Sequence, residues 1–385
     1  MTSSKRDAKE SKKIIRTFAA ASFLNDMGSD MIYPIWPLFV TQILKANMTA
    51  LGFLDGLGDA LVSISKAVSG YFSDRMRRRK IFIWIGYLFG ALSRIGYALS
   101  SVWTHLIPFR VLDRSGKIRG APRDAYIADI SVQKNRGKSF GYIRAMDHLG
   151  AVCGIILCIV FFKLLGYKML FFLAAVPTFI SVALIILFIK EKKPEKIKLY
   201  KGISIKDLDR NYKLFLLLSS IFSLGTFSYS FLLIYGHKHG FNTTFIPVLY
   251  LIFSAAAFLL SIPMGRLADR IGRRPVLFLS FFLWASVLVF LISGESRLTV
   301  ILSFILYGAH KGALEPVQTA FVCELAPEKF RASGLGGFQM MTGLCTLPAS
   351  FIAGILWESI GMTAPFYFSL VLTATAGVLL LFVKT

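Results

Sequence analysis

A densely charged stretch lies within an otherwise apolar sequence. Residues 110–129 read RVLDRSGKIRGAPRDAYIAD, and the segments on either side are apolar and long enough to cross a bilayer. A charge that faces lipid near the membrane centre costs at least ~2.5–3.5 kcal/mol. At about 100° per residue, one face of a helix formed by this stretch carries Arg110, Asp113, Arg114, Lys117 and Asp124.

This charged face needs water, substrate or counter-charges beside it. We expect it to line a water-filled cavity; the alternative is a helix packed through internal salt bridges, such as Asp113 with Lys117. Arg119 and Arg123 lie roughly on the opposite side and need partners on a neighbouring helix. The stretch therefore predicts either a solute pathway or an internal ion-pair network.

Polar and ionisable side chains also share single faces of other predicted helices. Residues 17–42 bring together Asn25, Asp26, Ser29, Asp30 and Tyr33. Residues 49–72 bring together Asp55, Asp59, Ser63 and Lys66, and Asp55 is expected near the external mouth as a solvated residue. Two further groups are Arg144, Asp147 and His148, and Lys311, Glu315 and Gln318. Because an ionisable residue inside a membrane is a functional hypothesis by default, we interpret these faces as a functional site.

These residues divide into two predicted roles. The predicted proton carrier is Asp30, followed by Asp26, Asp59 and Asp147, with Arg110 or Arg144 as the switching cation. The predicted substrate-cavity residues are Asn25, Tyr33, Arg114, Lys117, Arg144, Lys311, Glu315, Gln318 and Gln339. An alternative for Lys66 is that it extends to the cytoplasmic interface and has no role in the cavity.

The composition indicates an all-α polytopic membrane protein. The chain has 385 residues, of which 55% are hydrophobic and 17% are charged, whereas an average soluble chain is about one quarter charged. Apolar runs of roughly 20 residues recur along the whole length and predict transmembrane helices. The twelve predicted spans are 17–42, 49–72, 80–100, 104–131, 138–163, 167–190, 213–237, 244–269, 275–294, 298–325, 331–358 and 362–383.

The net charge of +23 follows the predicted membrane topology. Lys and Arg cluster in the N-terminal tail and in alternate connections, namely residues 75–80, 133–138, 190–213 and 269–275. By the positive-inside rule, both termini are predicted to be cytoplasmic, and membrane lipid is an expected partner. The basic loops lack interleaved aromatic residues, which argues against nucleic-acid binding.

The sequence lacks motifs for metal binding or for soluble-enzyme chemistry. The four cysteines lie within predicted spans and form no CxxC, and His237 and His239 are interpreted as loop residues rather than as metal ligands. There is no GxSxG, P-loop or HExxH motif. We predict no enzymatic activity, no metal and no cofactor, and an ion gradient as the energy source, with protons favoured over sodium.

An internal repeat runs through the chain at an offset of 195 residues. GYFSDRMRRRK at 70–80 matches GRLADRIGRRP at 265–275, and residues 125–141 match residues 320–336 at the same offset. The repeat predicts two six-helix halves in parallel orientation, which bind substrate between them. The predicted parts are a cytoplasmic tail 1–16, an N-terminal bundle 17–190, a basic linker 191–212 and a C-terminal bundle 213–385.

The repeated loop resembles the signature G-x-x-x-D-R-x-G-R-R/K of the major facilitator superfamily. The first copy departs from it by placing Arg77 where Gly is usual. The resemblance implies the twelve-helix fold of that family, and it implies that the loop stabilises one conformational state, with Asp74 and Asp269 as its carboxylates. The implied cytoplasmic gate is Gly70, Asp74, Arg75, Arg78, Gly265, Asp269, Arg270 and Arg273.

Two more segments resemble motifs of the same family. Arg110, followed by Pro122 and by IAD at 127–129, resembles the fourth-helix motif, in which a buried Arg is tied to proton coupling. GAVCGIIL at 150–157 keeps the Gly150–Gly154 spacing of the antiporter motif but lacks its Pro. Export and import therefore both stay open at this point.

The combined expectation is a proton-coupled secondary transporter that works by alternating access in the inner or plasma membrane. Its partners would be protons, membrane lipid and a small, charged organic solute, such as a siderophore-like metal chelate or a drug-like molecule, and the expected oligomeric state is a monomer. The alternative is a non-transporting membrane receptor or scaffold with the same fold.

Overall fold

The computed structural model describes most of the chain. It covers residues 2–76, 78–131, 136–191, 208–294, 296–326 and 331–384, with only the backbone described at residues 2–9, 70–71, 74, 136–138 and 331–333. Arg77 and most of the predicted linker therefore lie outside the described residues. Within them the secondary structure is helical and contains no β-strand, which confirms the predicted all-α fold.

The helices of the described chain follow one another with short connections. They are α1 (Thr2–Asp30), α2 (Trp36–Leu38), α3 (Met48–Met76), α4 (Lys80–Leu99), α5 (Leu106–Ser115), α6 (Gly120–Ile130), α7 (Arg136–Phe188), α8 (Arg210–Gly225), α9 (Tyr229–Lys238), α10 (Ile246–Ile271), α11 (Arg273–Ser293), α12 (Arg297–Leu325), α13 (Arg331–Ser359) and α14 (Ala364–Leu380). A π-helical turn covers Phe39–Ile43, and 3₁₀ turns cover Trp103–His105 and Gly116–Arg119.

These helices account for twelve membrane crossings among the described residues. Seven helical stretches are long and apolar enough to cross a membrane, and one of them, Ser139–Phe188, has 50 residues. This stretch supplies two crossings because the backbone breaks at Gly166, where φ is 66°. The other four crossings are α1, α5 with α6, α12 and α14. The first three carry ionisable residues, and α14 has only 17 residues.

The chain divides into two compact units. The first comprises Met1–Trp36 and Leu61–Tyr200, and the second comprises Pro37–Ala60 and Lys201–Thr385. The division falls within α3, so the beginning of this helix belongs to the second unit and its end to the first.

Close backbone contacts hold the first unit together. Helix α1 packs along α7, and α4 packs along both α7 and α5. A Cβ atom at Gly150 would lie 2.3 Å from the carbonyl oxygen of Phe23, and one at Gly154 would lie 2.2 Å from that of Met27. Only glycine therefore fits where α7 crosses α1, and small residues at this spacing allow membrane helices to approach closely. The Gly150–Gly154 motif has a packing role.

In the second unit, glycine residues also allow a close backbone contact, at the beginning of α3. A Cβ atom at Gly52 would lie 2.1 Å from the carbonyl oxygen of Ser350, and one at Gly354 would lie 2.5 Å from that of Met48. The carboxylate of Glu358 accepts a hydrogen bond from the backbone nitrogen of Met48 at 2.6 Å. Helix α3 thus begins against α13, with an acidic side chain at its N-terminus, where the helix dipole favours negative charge.

Candidate functional site

A 3₁₀ turn interrupts the charged stretch that the sequence predicts to be one continuous helix. Helix α5 ends at Ser115, the turn covers Gly116–Arg119, and α6 begins at Gly120. A Cβ atom at Gly116 would lie 2.6 Å from the carbonyl oxygen of Gly86, so the backbones of α4 and the turn are in direct contact. Side chains of a 3₁₀ turn are spaced at about 120°. The turn therefore redirects Lys117 and Arg119 relative to a regular helix.

Four charged side chains form a network that joins α1, α6 and α7. Arg123 donates to Ser22 Oγ at 2.6 Å and to Asp124 at 3.1 Å, and it lies 3.7 Å from Asp147. Arg144 contacts the same two carboxylates, at 3.4 Å to Asp147 and 3.8 Å to Asp124. Arg123 is buried, whereas the side chain of Arg144 is 61% exposed. Two arginines thus share two aspartates, and the network can be rearranged by moving one exposed guanidinium.

A second group surrounds the end of α1. Arg114 donates to the Tyr33 hydroxyl at 3.1 Å and lies 3.5 Å from Asp113. The Arg110 guanidinium lies 4.5 Å from the centre of the Trp36 ring, and both residues are buried. A cation over an aromatic ring is stabilised by up to about 2 kcal/mol when it is desolvated. Two buried cations and the Asp113 carboxylate therefore lie close together at this position.

The backbone next to Asp30 is irregular. Helix α1 ends at this residue, and a turn over residues 31–35 leads to α2. Pro34 lies in the turn and disfavours the helical conformation of the residue before it. Asp30 is half-buried and acts electrostatically on Tyr33. The leading predicted proton carrier therefore lies at a helix break beside the Tyr33–Arg114 pair. The runner-up, Asp26, accepts a hydrogen bond from the Asn25 amide at 2.8 Å.

Arg94 was not among the predicted site residues, yet it is a buried cation of the first unit. Its guanidinium donates to the carbonyl oxygens of Ala174 and Asn25 at 2.9 and 3.1 Å, and to Ser29 Oγ at 2.8 Å. A Cβ atom at Gly28 would lie 2.3 Å from this guanidinium. Arg94 therefore ties α1, α4 and α7 together as a structural link. The sequence feature that could have indicated this role is the single Arg within the otherwise apolar predicted span 80–100, apart from its first residue.

Lys66 and Lys117 differ from the arginines of the first unit. Lys66 is exposed and Lys117 is half-buried. Among the charged groups that act electrostatically on Lys66, Lys117 has the largest effect. Neither ammonium group has a hydrogen-bond or ion-pair partner within the part of the chain that the structure describes. The carboxylates Asp113, Asp124 and Asp147 are paired with arginines.

The second unit brings three of the predicted residues together around α12. The Lys311 ammonium lies 5.9 Å from the centre of the Tyr307 ring, and Glu315 and Asp59 are the carboxylates that act electrostatically on Lys311. Gln318 donates weakly to Ser219 Oγ, at 3.4 Å. Gln339 is exposed on α13. Asp59 therefore belongs with Lys311 and Glu315 in its compact unit.

Two buried polar residues of the second unit differ from the sequence-based expectation. Asp55, expected at the external end as a solvated residue, is buried and accepts a hydrogen bond from Ser228 Oγ at 2.8 Å. The expectation that Asp55 is solvated was therefore wrong. Its partner Ser228 lies 173 residues further along the chain, so the local sequence pattern could not indicate the contact. His310, which the sequence analysis did not single out, is fully buried, with Nδ1 2.9 Å from Ser280 Oγ and its ring beside Trp284.

The repeated loop makes an ion pair in each unit. In the second copy, Arg273 bridges Asp269 and Glu324, with a 3.0 Å hydrogen bond to the latter. In the first copy, Arg79 pairs with Asp129, the repeat equivalent of Glu324. Arg79 takes this place instead of the predicted Arg78, which is exposed.

The shift of one residue between the two copies has a local cause. In the second copy, Gly272 adopts φ 95° and α11 begins at the next residue. A non-glycine residue rarely adopts this conformation, and the first copy carries Arg77 at the equivalent position. Helix α4 accordingly begins only at Lys80, where Glu191 accepts hydrogen bonds from the backbone nitrogens of Arg79 and Lys80.

The remaining predicted gate residues are Gly70, Asp74, Arg75, Gly265 and Arg270. Only the backbone of Gly70 and Asp74 is described, and it is helical at both positions. Arg75 and Arg270 are exposed, and Gly265 has open space around its α-carbon. Across the described chain, no three His, Cys, Asp or Glu side chains cluster as a metal site would require.

Comparison with known proteins gives one consistent result. The family model of the Major Facilitator Superfamily matches residues 18–242 and 214–385. The chain is 37% identical to an uncharacterised MFS-type transporter of Methanocaldococcus jannaschii, covering 97% of this chain and 96% of that one. It is 27% identical to multidrug resistance protein 1 of Bacillus subtilis, covering 95% of each.

The solved structure of the nucleoside transporter NupG has the same fold. It superposes with a TM-score of 0.74 at 17% identity, covering 95% of this chain and 97% of that one. Together with the twelve crossings, the repeat and the paired loops, the match over nearly the full length identifies the chain as a multi-pass integral membrane protein and a member of the major facilitator superfamily.

Proposed function

We propose that the protein is a proton-coupled secondary transporter that exports a small organic solute carrying a negatively charged group. The observation that carries this proposal is the pair Lys66 and Lys117, two cations of one region without a partner among the described residues. Two like charges that approach each other in a partly buried region repel. An anionic group of the substrate would relieve this repulsion and pair with both.

The direction of transport is proposed from the relatives. Multidrug resistance protein 1 of Bacillus subtilis matches along 95% of this chain, and a relative from Streptococcus pneumoniae that matches along 80% of it is named a multi-drug resistance efflux pump. The Gly150–Gly154 contact with α1 is compatible with an antiporter, although the motif lacks its Pro. We therefore place the protein in the inner or plasma membrane, with both termini in the cytoplasm and with protons moving inward as the solute moves out.

Proton coupling would use the irregular backbone at Asp30 and the network of Arg123, Asp124, Arg144 and Asp147. Asp30 lies beside the Tyr33–Arg114 pair, so its protonation would change the charge seen by both cations at the end of α1. Alternating access would link this proton to substrate binding as a coupling free energy, typically ~1–3 kcal/mol.

The receptor or scaffold alternative is less well supported. A protein that does not cycle between states needs no conformational lock, whereas this chain has an ion pair at the same loop of both repeats, Arg79 with Asp129 and Arg273 with Glu324. These pairs favour a protein that changes conformation, because such pairs stabilise one state and must be released in the other.

Transport of charged fluorophores in proteoliposomes tests this proposal. With an imposed pH gradient, the anion carboxyfluorescein should move faster than the cation ethidium. Lys117→Gln should slow the anion roughly 10- to 100-fold, because a hydrogen bond to a charged group contributes ~1.5–3 kcal/mol. The control is Lys163→Gln, which removes an exposed lysine of α7. Transport of ethidium without transport of carboxyfluorescein would overturn the proposed anionic substrate. If the fluxes of both dyes are independent of the pH gradient, the proposal of a proton-coupled transporter is overturned.

A further inference from the structure

A groove lies where the cytoplasmic end of α1 meets the end of α7. It has a volume of about 830 Å³. Its polar wall contains four cations, Lys12, Lys13, Arg16 and Lys190, with Glu10 as the one carboxylate among its lining residues. The groove therefore concentrates positive charge at one position on the first unit.

The opposite wall of the groove is apolar. Leu184 and Phe188 line it, and the ring of Phe188 is 49% exposed. The ammonium group of Lys13 lies 5.7 Å from the centre of this ring. Ile14 and Leu184 also pack against the buried cluster that contains Phe18 and Ile185. A cationic wall beside an exposed apolar wall matches a molecule with an anionic head and an apolar tail.

The position along the chain places this groove at the membrane surface. Lys190 directly follows α7, the second half of which is a membrane crossing, and Lys13 precedes the predicted first span. Residues 192–207, which follow Glu191, carry six lysines and two acidic residues, so the sequence after this groove is also basic.

We propose that the groove binds an anionic phospholipid of the cytoplasmic leaflet, with its phosphate against the four cations and its acyl chain along Leu184 and Phe188. Anionic headgroups attract basic residues near the membrane surface, and each cation contributes to that attraction. The bound lipid would hold the beginning of α1 against the end of α7. This site is separate from the residues proposed to carry transport.

The test compares lipid selectivity in two variants that lose the same charge. The purified full-length protein is titrated with phosphatidylglycerol and with phosphatidylcholine in mixed micelles, and native mass spectrometry counts bound lipids. Lys13→Gln with Lys190→Gln removes two cations of the groove, and Lys163→Gln with Lys168→Gln removes two exposed lysines elsewhere on α7. Inorganic phosphate is the third ligand, because it shares the charge but has no acyl chain.

The expected result is preferential binding of phosphatidylglycerol to the wild type and to the α7 control. The groove variant should bind it roughly thirty-fold more weakly, at ~1 kcal/mol per cation. Equal binding of the two lipids, or an unchanged preference in the groove variant, would overturn the proposal. Inorganic phosphate that competes at concentrations similar to those of the lipid would also overturn it, since the occupant would then be a soluble phosphate.

Discussion

At the scale of single residues, the first unit separates cations that have partners from cations that lack them. Arg94, Arg114 and Arg123 each make at least one hydrogen bond within the protein. Burial of a guanidinium is tolerated when its donors are satisfied. Arg94 is satisfied mainly by backbone carbonyl groups, so its role is to hold helices together. Lys117 has no such partner among the described residues and is the better candidate for contact with a substrate.

The first prediction concerns the proton carrier. Asp30→Asn should abolish accumulation driven by a pH gradient but permit exchange of labelled for unlabelled substrate. Exchange needs binding and reorientation without net proton movement, whereas accumulation needs the proton. Both are measured in the same proteoliposomes, with carboxyfluorescein as the substrate. If the variant still accumulates substrate uphill, the role passes to Asp26, Asp59 or Asp147.

The second prediction distinguishes two adjacent arginines in the first copy of the repeated loop. Arg79→Gln should reduce the transport rate, because it leaves Asp129 without its guanidinium. Arg78→Gln is the matched control and should retain nearly the wild-type rate, because Arg78 is exposed. Initial rates at equal amounts of folded protein decide between them. Equal rates for the two variants would contradict the assignment of Arg79.

At the scale of helices, glycine positions fix how closely the elements approach. Gly150 and Gly154 lie where α7 crosses α1, and Gly86 and Gly116 lie where α4 meets the 3₁₀ turn. In each case a Cβ atom would overlap a backbone atom of the other element. The glycine contact between α1 and α7 accompanies an electrostatic interaction of Asp26 with Asp147.

The third prediction follows from this packing. Gly154→Ala should lower the apparent melting temperature and the transport rate, because its Cβ atom would lie 2.2 Å from the Met27 carbonyl oxygen. Overpacking of this kind typically costs ~1–3 kcal/mol. Gly141→Ala in the same helix is the control, since nothing lies within 4 Å of a Cβ atom there. Fluorescence-detected thermal unfolding measures both, and a similar stability for the two variants would refute the close contact.

The sequence predicted the helices and the paired loops but not the local contacts between them. The apolar runs and the offset of 195 residues were sufficient for the twelve spans, and they equated Asp129 with Glu324. The 3₁₀ turn could not be predicted, because it depends on the tertiary contact between Gly86 and Gly116. The choice of Arg79 over Arg78 depends on where α4 begins, which is two residues later than the repeat equivalent of the start of α11.

At the scale of the whole molecule, the compact units do not follow the sequence repeat. The repeat places residues 37–60 in the predicted N-terminal bundle, whereas their packing groups them with the second unit. The reason is the close contact of α3 with α13 at Gly52 and Gly354, together with the hydrogen bond from Ser228 to Asp55. The predicted bundles 17–190 and 213–385 remain a proposal for how the transporter moves.

The fourth prediction tests whether this contact must open during transport. The rings of Phe53 in α3 and Phe351 in α13 lie 6.3 Å apart between centres. In a protein without its four native cysteines, a short bifunctional thiol reagent should link Phe53→Cys to Phe351→Cys and stop transport. Phe162→Cys with Tyr167→Cys, both in α7, is the control, and its rings are 4.8 Å apart. Undiminished transport after complete cross-linking of the first pair would mean that the contact stays closed.

The close fit of α7 on α1 also has a consequence for biosynthesis. The part of α7 that packs against α1, at Gly150 and Gly154, lies roughly 130 residues further along the chain. At about 5–20 residues per second, a ribosome needs roughly 6 to 26 s to synthesise that length. During this interval α1 carries Asp26 and Asp30 without Gly150 and Gly154, and Arg94, which donates to Asn25 and Ser29 of α1, lacks the carbonyl group of Ala174 as its other acceptor. The nascent first helix is therefore poorly suited to lipid, and its stable insertion should wait until the fifth and sixth spans emerge.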